Sequence, residues 1–144
     1  MINKIISRII SVFFVFCVAL GQYSQSISQT KSFTGRYRTR NPNVKNTLEV
    51  MQLPNGKIKF HLIALWVAPY NPENVHNGEL QGVLALKKVS AVYQSENCKV
   101  TIKFVRSGVV VTQDSDAGDC VFGALVTATG SYGKVDSGPP KFDF

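Results

Sequence analysis

The stretch TLEVMQLPNGKIKFHLIALW, residues 47–66, decides the fold class. In its second half Ile58, Phe60, Leu62, Ala64 and Trp66 share one face of an extended chain, while Lys57, Lys59 and His61 take the other. A two-residue period belongs to a strand with one buried side, not to a helix. The first half, 47–53, reads as its partner strand. Between them lies Pro54-Asn55-Gly56, and an Asn-Gly pair closes hairpins because both residues tolerate positive φ. Beyond His61 the outward positions become Ile63 and Leu65, so the far end is apolar on both faces and needs a cover. A loop over 67–78, with Pro69, Tyr70 and Pro72, is the expected cover.

The same pattern extends in both directions. In 33–40, Phe33, Gly35, Tyr37 and Thr39 alternate with Thr34, Arg36, Arg38 and Arg40. Further strands are expected over 79–86, 88–94, 99–105, 109–113 and 122–129, with 130–135 extending the last or closing the sheet. Outside the first 21 residues no segment keeps a helical period, so the chain reads as all-β. Short strands joined by short connections predict an antiparallel up-and-down barrel of about eight strands, which removes exposed sheet edges. A two-sheet β-sandwich is the alternative, with 67–78 as its long crossover. Residues 136–144, containing Gly138-Pro139-Pro140, read as an irregular tail.

Residues 1–21 read as a secretory signal peptide. Lys4 and Arg8 precede an apolar run from Ile9 to Leu20, and Ala19 and Gly21 are the small residues a signal peptidase requires. The run is shorter than the roughly 20 residues that span a bilayer as a helix. Cys17 follows the bulky Phe16, which argues against lipidation. Residues 22–32, QYSQSISQTKS, read as a flexible lead-in, followed by one barrel domain over 33–135. Removing the signal lowers the net charge from +7 to +5 and leaves Cys98 and Cys120 as an even pair. In an exported chain these are expected to form a disulfide.

Several short motifs lie along the chain: Gly35-x-Tyr37, Asn55-Gly56-x-Ile58-x-Phe60, Gly78-Glu79-Leu80-x-Gly82, Ala91-x-Tyr93, Cys98 with Ile102-x-Phe104, Gln113, Cys120-x-Phe122-Gly123 and Gly130-x-Tyr132. Together, over about 100 residues, they resemble a family of small exported bacterial all-β domains. That family is loosely similar in size and export to bacterial lysozyme-inhibitor barrels. The resemblance implies a secreted or periplasmic protein, and in those inhibitors a protruding loop brings a small hydroxyl and a basic residue into the enzyme's cleft. Ser131 and Lys134, in GSYGK, are the nearest counterparts.

Four other groups carry potential chemistry. Asp114, Asp116 and Asp119 in VTQDSDAGDC suggest a calcium loop, but counting from Asp114 puts Gly118 at position 5, Asp119 at position 6 and Leu125 at position 12. The helix-loop-helix calcium signature therefore fails; an irregular β-loop holding calcium through these three aspartates stays as an alternative, and turn chemistry is the simpler reading. His61 and His76 have no nearby cysteine or evident carboxylate partner, so neither zinc nor any other cofactor is expected. Arg36, Arg38 and Arg40 form an outward basic stripe that would favour an anionic partner, while nucleic acid is not expected. Trp66 and Tyr70, beside Pro69 and Pro72, form an aromatic lip at the end of the third strand.

No serine lies in a nucleophile elbow, and no Ser-His-Asp order stands out. The expectation is a non-catalytic, monomeric binding module of the cell envelope or exterior, either inhibitor-like or a small-ligand binder. A structural envelope protein and an enzyme are the alternatives. An enzyme would require polar side chains to converge in a pocket.

Overall fold

The computed structural model describes residues 32–41, 44–114, 120 and 122–144. The segments expected to be a signal peptide and a lead-in, up to residue 31, and Asp116 and Asp119 lie outside the described residues. Eight strands follow in order: β1 (Gly35–Thr39), β2 (Thr47–Gln52), β3 (Lys57–Ala68), β4 (Asn71–Lys87), β5 (Ser90–Gln94), β6 (Lys99–Val105), β7 (Gly108–Gln113) and β8 (Gly130–Asp136). Each pairs antiparallel with its sequence neighbour, and β8 returns to β1, giving a closed up-and-down barrel. The sandwich alternative is thereby corrected. No α-helix occurs among the described residues, and no helix there is long and apolar enough to cross a membrane.

The 47–66 stretch behaves as its period requires. Gln52 pairs with Ile58, and Leu53 N donates to Lys57 O at 2.8 Å across the Asn-Gly turn. Gly56 sits at φ 70°, a conformation that costs glycine little. Leu48, Val50, Ile58, Phe60, Leu62 and Ala64 are completely buried. They meet Val100, Ile102, Val109, Val111 and Tyr132 from the opposite wall in one core cluster, so side chains fill the barrel interior.

Two segments exchange the roles expected of them. Residues 67–78 are not a covering loop, because β3 and β4 continue as a ladder through Leu65↔Asn77, Trp66↔His76 and Val67↔Val75 to Ala68↔Asn71. Proline is tolerated there because neither arm has a further strand beside it at the tip. Residues 122–129 are not a strand, and Phe122 makes only an isolated bridge to Gly78. Phe122, Val126 and Ala128 are nevertheless buried, so this segment is the cover that closes the barrel end.

Side chains and backbone together hold the cover in place. Asn46, the one buried polar residue among those described, donates from Nδ2 to Thr127 O at 2.8 Å and to the Tyr132 hydroxyl at 3.2 Å. Its Oδ1 accepts from Leu65 N at 3.0 Å, and Tyr132 Oη donates to Ala128 O at 2.7 Å. Gln113 Oε1 accepts from Ala128 N at 3.0 Å, and His76 Nδ1 donates to Ala124 O at 2.8 Å. Cys98 and Cys120 are joined in a disulfide that ties the cover to the entrance of β6. Burial pushes the Tyr132 phenol far above its ordinary range, partly opposed by the Asn46 hydrogen bond.

Candidate functional site

The β3–β4 hairpin runs on to Ala68↔Asn71, past Ile63 where the pairing of β2 with β3 ends. Ala64 is the last fully buried residue of β3, and four more residues carry the strand about 13 Å further at about 3.3 Å per residue. At the tip Tyr70 is 100% exposed, and Val75 on the returning arm is 47% exposed. Pro69, Pro72, Glu73 and Asn74 are exposed as well. Between Trp66 and Gly78 the only formally charged side chain is Glu73.

The aromatic lip expected from the sequence divides in two. Trp66 is half-buried against the core, with its ring centroid 5.2 Å from that of His76. His76 is in turn tied to the cover through Ala124, so Trp66 supports the hairpin base. Tyr70 alone occupies the tip. Within the cover, Leu125 is 62% exposed and holds φ 68°, an uncommon conformation for a residue with a branched side chain.

The other sequence candidates are mostly engaged in structure. Arg36 Nε lies 2.7 Å from Glu49 Oε1, and Arg40 Nη2 donates to Ser107 O at 2.7 Å. Arg38 has no hydrogen bond or ion pair among the described residues, so the arginine stripe contains one uncommitted guanidinium between two committed ones. Ser131 is exposed on β8, and its carbonyl accepts from Arg40 N at 3.2 Å. Lys134 Nζ donates to Thr34 O at 2.7 Å and Ser32 O at 3.3 Å and lies 5.3 Å from the Tyr37 ring centroid. It is part of the clasp on the chain entering β1, not a protruding cation. Asp114 is held 3.1 Å from Lys99 Nζ, and its amide donates to Lys99 O at 2.9 Å. That pair closes the end of the β6–β7 ladder.

A second site was not evident in the sequence. On the outer face of β2, β3 and β4, Glu49, His61 and Gln81 lie in one row across the strands, with Thr47, Ile63 and Glu79 in the next. His61 Nε2 donates to Glu79 Oε1 at 2.7 Å, while its Nδ1 faces Glu49 Oε2 at 4.0 Å. The reading that His61 lacks a carboxylate partner is corrected. Residues 141–144 run alongside and complete a groove of about 380 Å³. The Lys59 ammonium lies 5.0 Å from the Phe142 ring centroid and 4.2 Å from that of Phe144 and contacts the Phe144 carbonyl. Among the described residues no group of three or more metal-binding side chains converges.

Half of this site could have been read from the hairpin. Once the Asn-Gly turn pairs Gln52 with Ile58, Glu49 must lie opposite His61. Glu79 could not be placed, because its register depends on how far β3 and β4 run before turning. Comparison with protein-family models, with curated proteins and with solved structures gives no match for this chain, so geometry carries the functional reading.

Proposed function

We propose that this protein is an exported, non-catalytic binding module that engages a macromolecular partner through the tip of the β3–β4 hairpin. The observation that carries the reading is the complete exposure of Tyr70 at the end of a ribbon that outruns its barrel. An aromatic side chain offers a large contact area at small entropic cost, and a paired ribbon presents it in a preorganised position. The core cluster, in which buried side chains from most of the strands meet, supports this reading over that of a small-ligand barrel. The Cys98–Cys120 disulfide fits an extracytoplasmic protein, and the apolar run at 9–20 supplies the export signal in this reading.

The inhibitor-like version of this reading moves from the GSYGK segment to the hairpin. Lys134 is clasped to backbone, whereas the hairpin is narrow and projecting, as insertion into a partner's cleft demands. Affinity capture from an envelope extract, with wild-type protein and Tyr70→Ala as bait, tests the assignment. The specifically retained partner should be lost with Tyr70→Ala while the thermal midpoint stays unchanged. Equal retention by both baits would remove the hairpin tip from the interface.

A further inference from the structure

We propose that the groove on the outer face of β2, β3 and β4 is a saccharide-binding site, separate from the hairpin tip and independent of the reading above. Its argument is chemical complementarity. Three carboxylates, Glu49, Glu79 and Asp143, supply acceptors, while Lys141 and the Gln81 amide supply donors. A sugar hydroxyl is both donor and acceptor, so a polyhydroxylated ring can satisfy both sets at once. An anionic ligand would meet three carboxylates against the single lysine of the lining, and a purely apolar one would leave the polar wall unpaired.

The apolar part of the groove suits a sugar ring as well. Phe144 stands at the groove wall, 42% exposed, with its ring centroid 6.0 Å from that of His61. The Lys59 ammonium lies 4.2 Å from the centroid of the same ring. A fixed aromatic face beside paired carboxylates offers stacking to the C–H face of a pyranose and hydrogen bonds to its rim. The volume of about 380 Å³ falls at the lower end of small-ligand sites, enough for a short oligosaccharide.

The polar groups are also preorganised. Arg36 fixes one Glu49 oxygen, and His61 orients Glu79, so neither carboxylate must be immobilised when the ligand arrives. All six sheet positions come from regular strands, which hold a hydrogen-bonding array more rigidly than loops do.

The test is a titration of isotope-labelled protein with chitotriose, cellotriose and maltotriose, each to about 10 mM, with cadaverine as a cationic comparison. At least one trisaccharide should give saturable shifts at Glu49, His61, Gln81 and Phe144, weakened about tenfold or more in Glu79→Gln and in Phe144→Ala. Tyr70→Ala should bind the sugar as wild type does, which separates this site from the hairpin. Spectra of the variants that match wild type away from the groove exclude a folding defect as the cause of any loss. The proposal is overturned if no trisaccharide shifts these resonances, if both groove variants bind undiminished, or if cadaverine shifts them and the sugars do not.

Discussion

Gly78 and Phe122 form an isolated antiparallel bridge in which a side chain at position 78 would run into the Phe122 ring and come within 2.6 Å of its Cα. This contact joins the projecting hairpin to the cover over the barrel end. Gly78→Ala is therefore expected to destabilise the protein by about 1–3 kcal/mol, as overpacking of a closed interior does. Adding Phe122→Ala should cost less in the Gly78→Ala background than alone, because the collision with the ring, the tightest of the contacts, is then gone. Urea denaturation of the two single variants and the double variant measures both.

Tyr132 and Asn46 supply the cover's buried polar anchor. Tyr132→Phe leaves the Ala128 carbonyl without its hydroxyl donor and should cost about 1–2 kcal/mol near neutral pH. The pH dependence has a definite sign. Burial raises the Tyr132 phenol above its ordinary value of 10.0 in the fold and pushes Tyr37 up to about 12. The unfolded chain then releases these protons first. Stability from the neutral phenols is complete below about pH 10 and is lost as pH rises through the folded values. The stability gap between wild type and Tyr132→Phe should accordingly hold steady up to about pH 10 and narrow as pH rises above it.

The disulfide closes a loop with a sequence separation of 22 residues. On the chain-entropy account this stabilises the domain by about 3.4 kcal/mol. Denaturation with and without reductant should show a loss of about 3 kcal/mol. A loss below about 1 kcal/mol would mean that the hydrogen bonds of Asn46, Gln113 and His76 hold the cover largely unaided.

The barrel was legible in the sequence because burial on one face imposes a two-residue period, and Leu48, Val50, Ile58, Phe60 and Leu62 follow it without exception. The same signal misassigned 122–129. There Phe122, Val126 and Ala128 turn inward while the backbone bonds to the side chains of Asn46, Gln113 and His76, so alternation reports burial and not strand pairing. The opposite error occurred at 67–78, where Pro69, Pro72 and the asparagines look like a loop but lie at the free end of a two-stranded ribbon. Of the candidate sites, the exposed Tyr70 could be named from sequence. The groove could not, since it needs the β3–β4 register and the return of Phe144 across the sheet.

Charge separates two ways of meeting a partner. Contact through the hairpin tip involves few ionic groups, because Glu73 is the only formally charged side chain between Trp66 and Gly78. Contact through the Arg36–Arg38–Arg40 stripe would instead be screened strongly by salt. Partner affinity measured from about 0.05 to about 0.5 M salt should fall less than about threefold if the hairpin makes the contact. A drop of tenfold or more would transfer the interface to the arginine stripe.

The most direct measurement is site-specific photocrosslinking with a photoreactive phenylalanine analogue at position 70 and, in a separate protein, at position 92. Val92 lies on β5 and at 45% exposure is a fair match for the exposed valine of the hairpin. Crosslinks to the captured partner from position 70 and none from position 92 are the predicted result. Equal yields from both, or crosslinks from position 92 alone, would contradict a hairpin-tip interface.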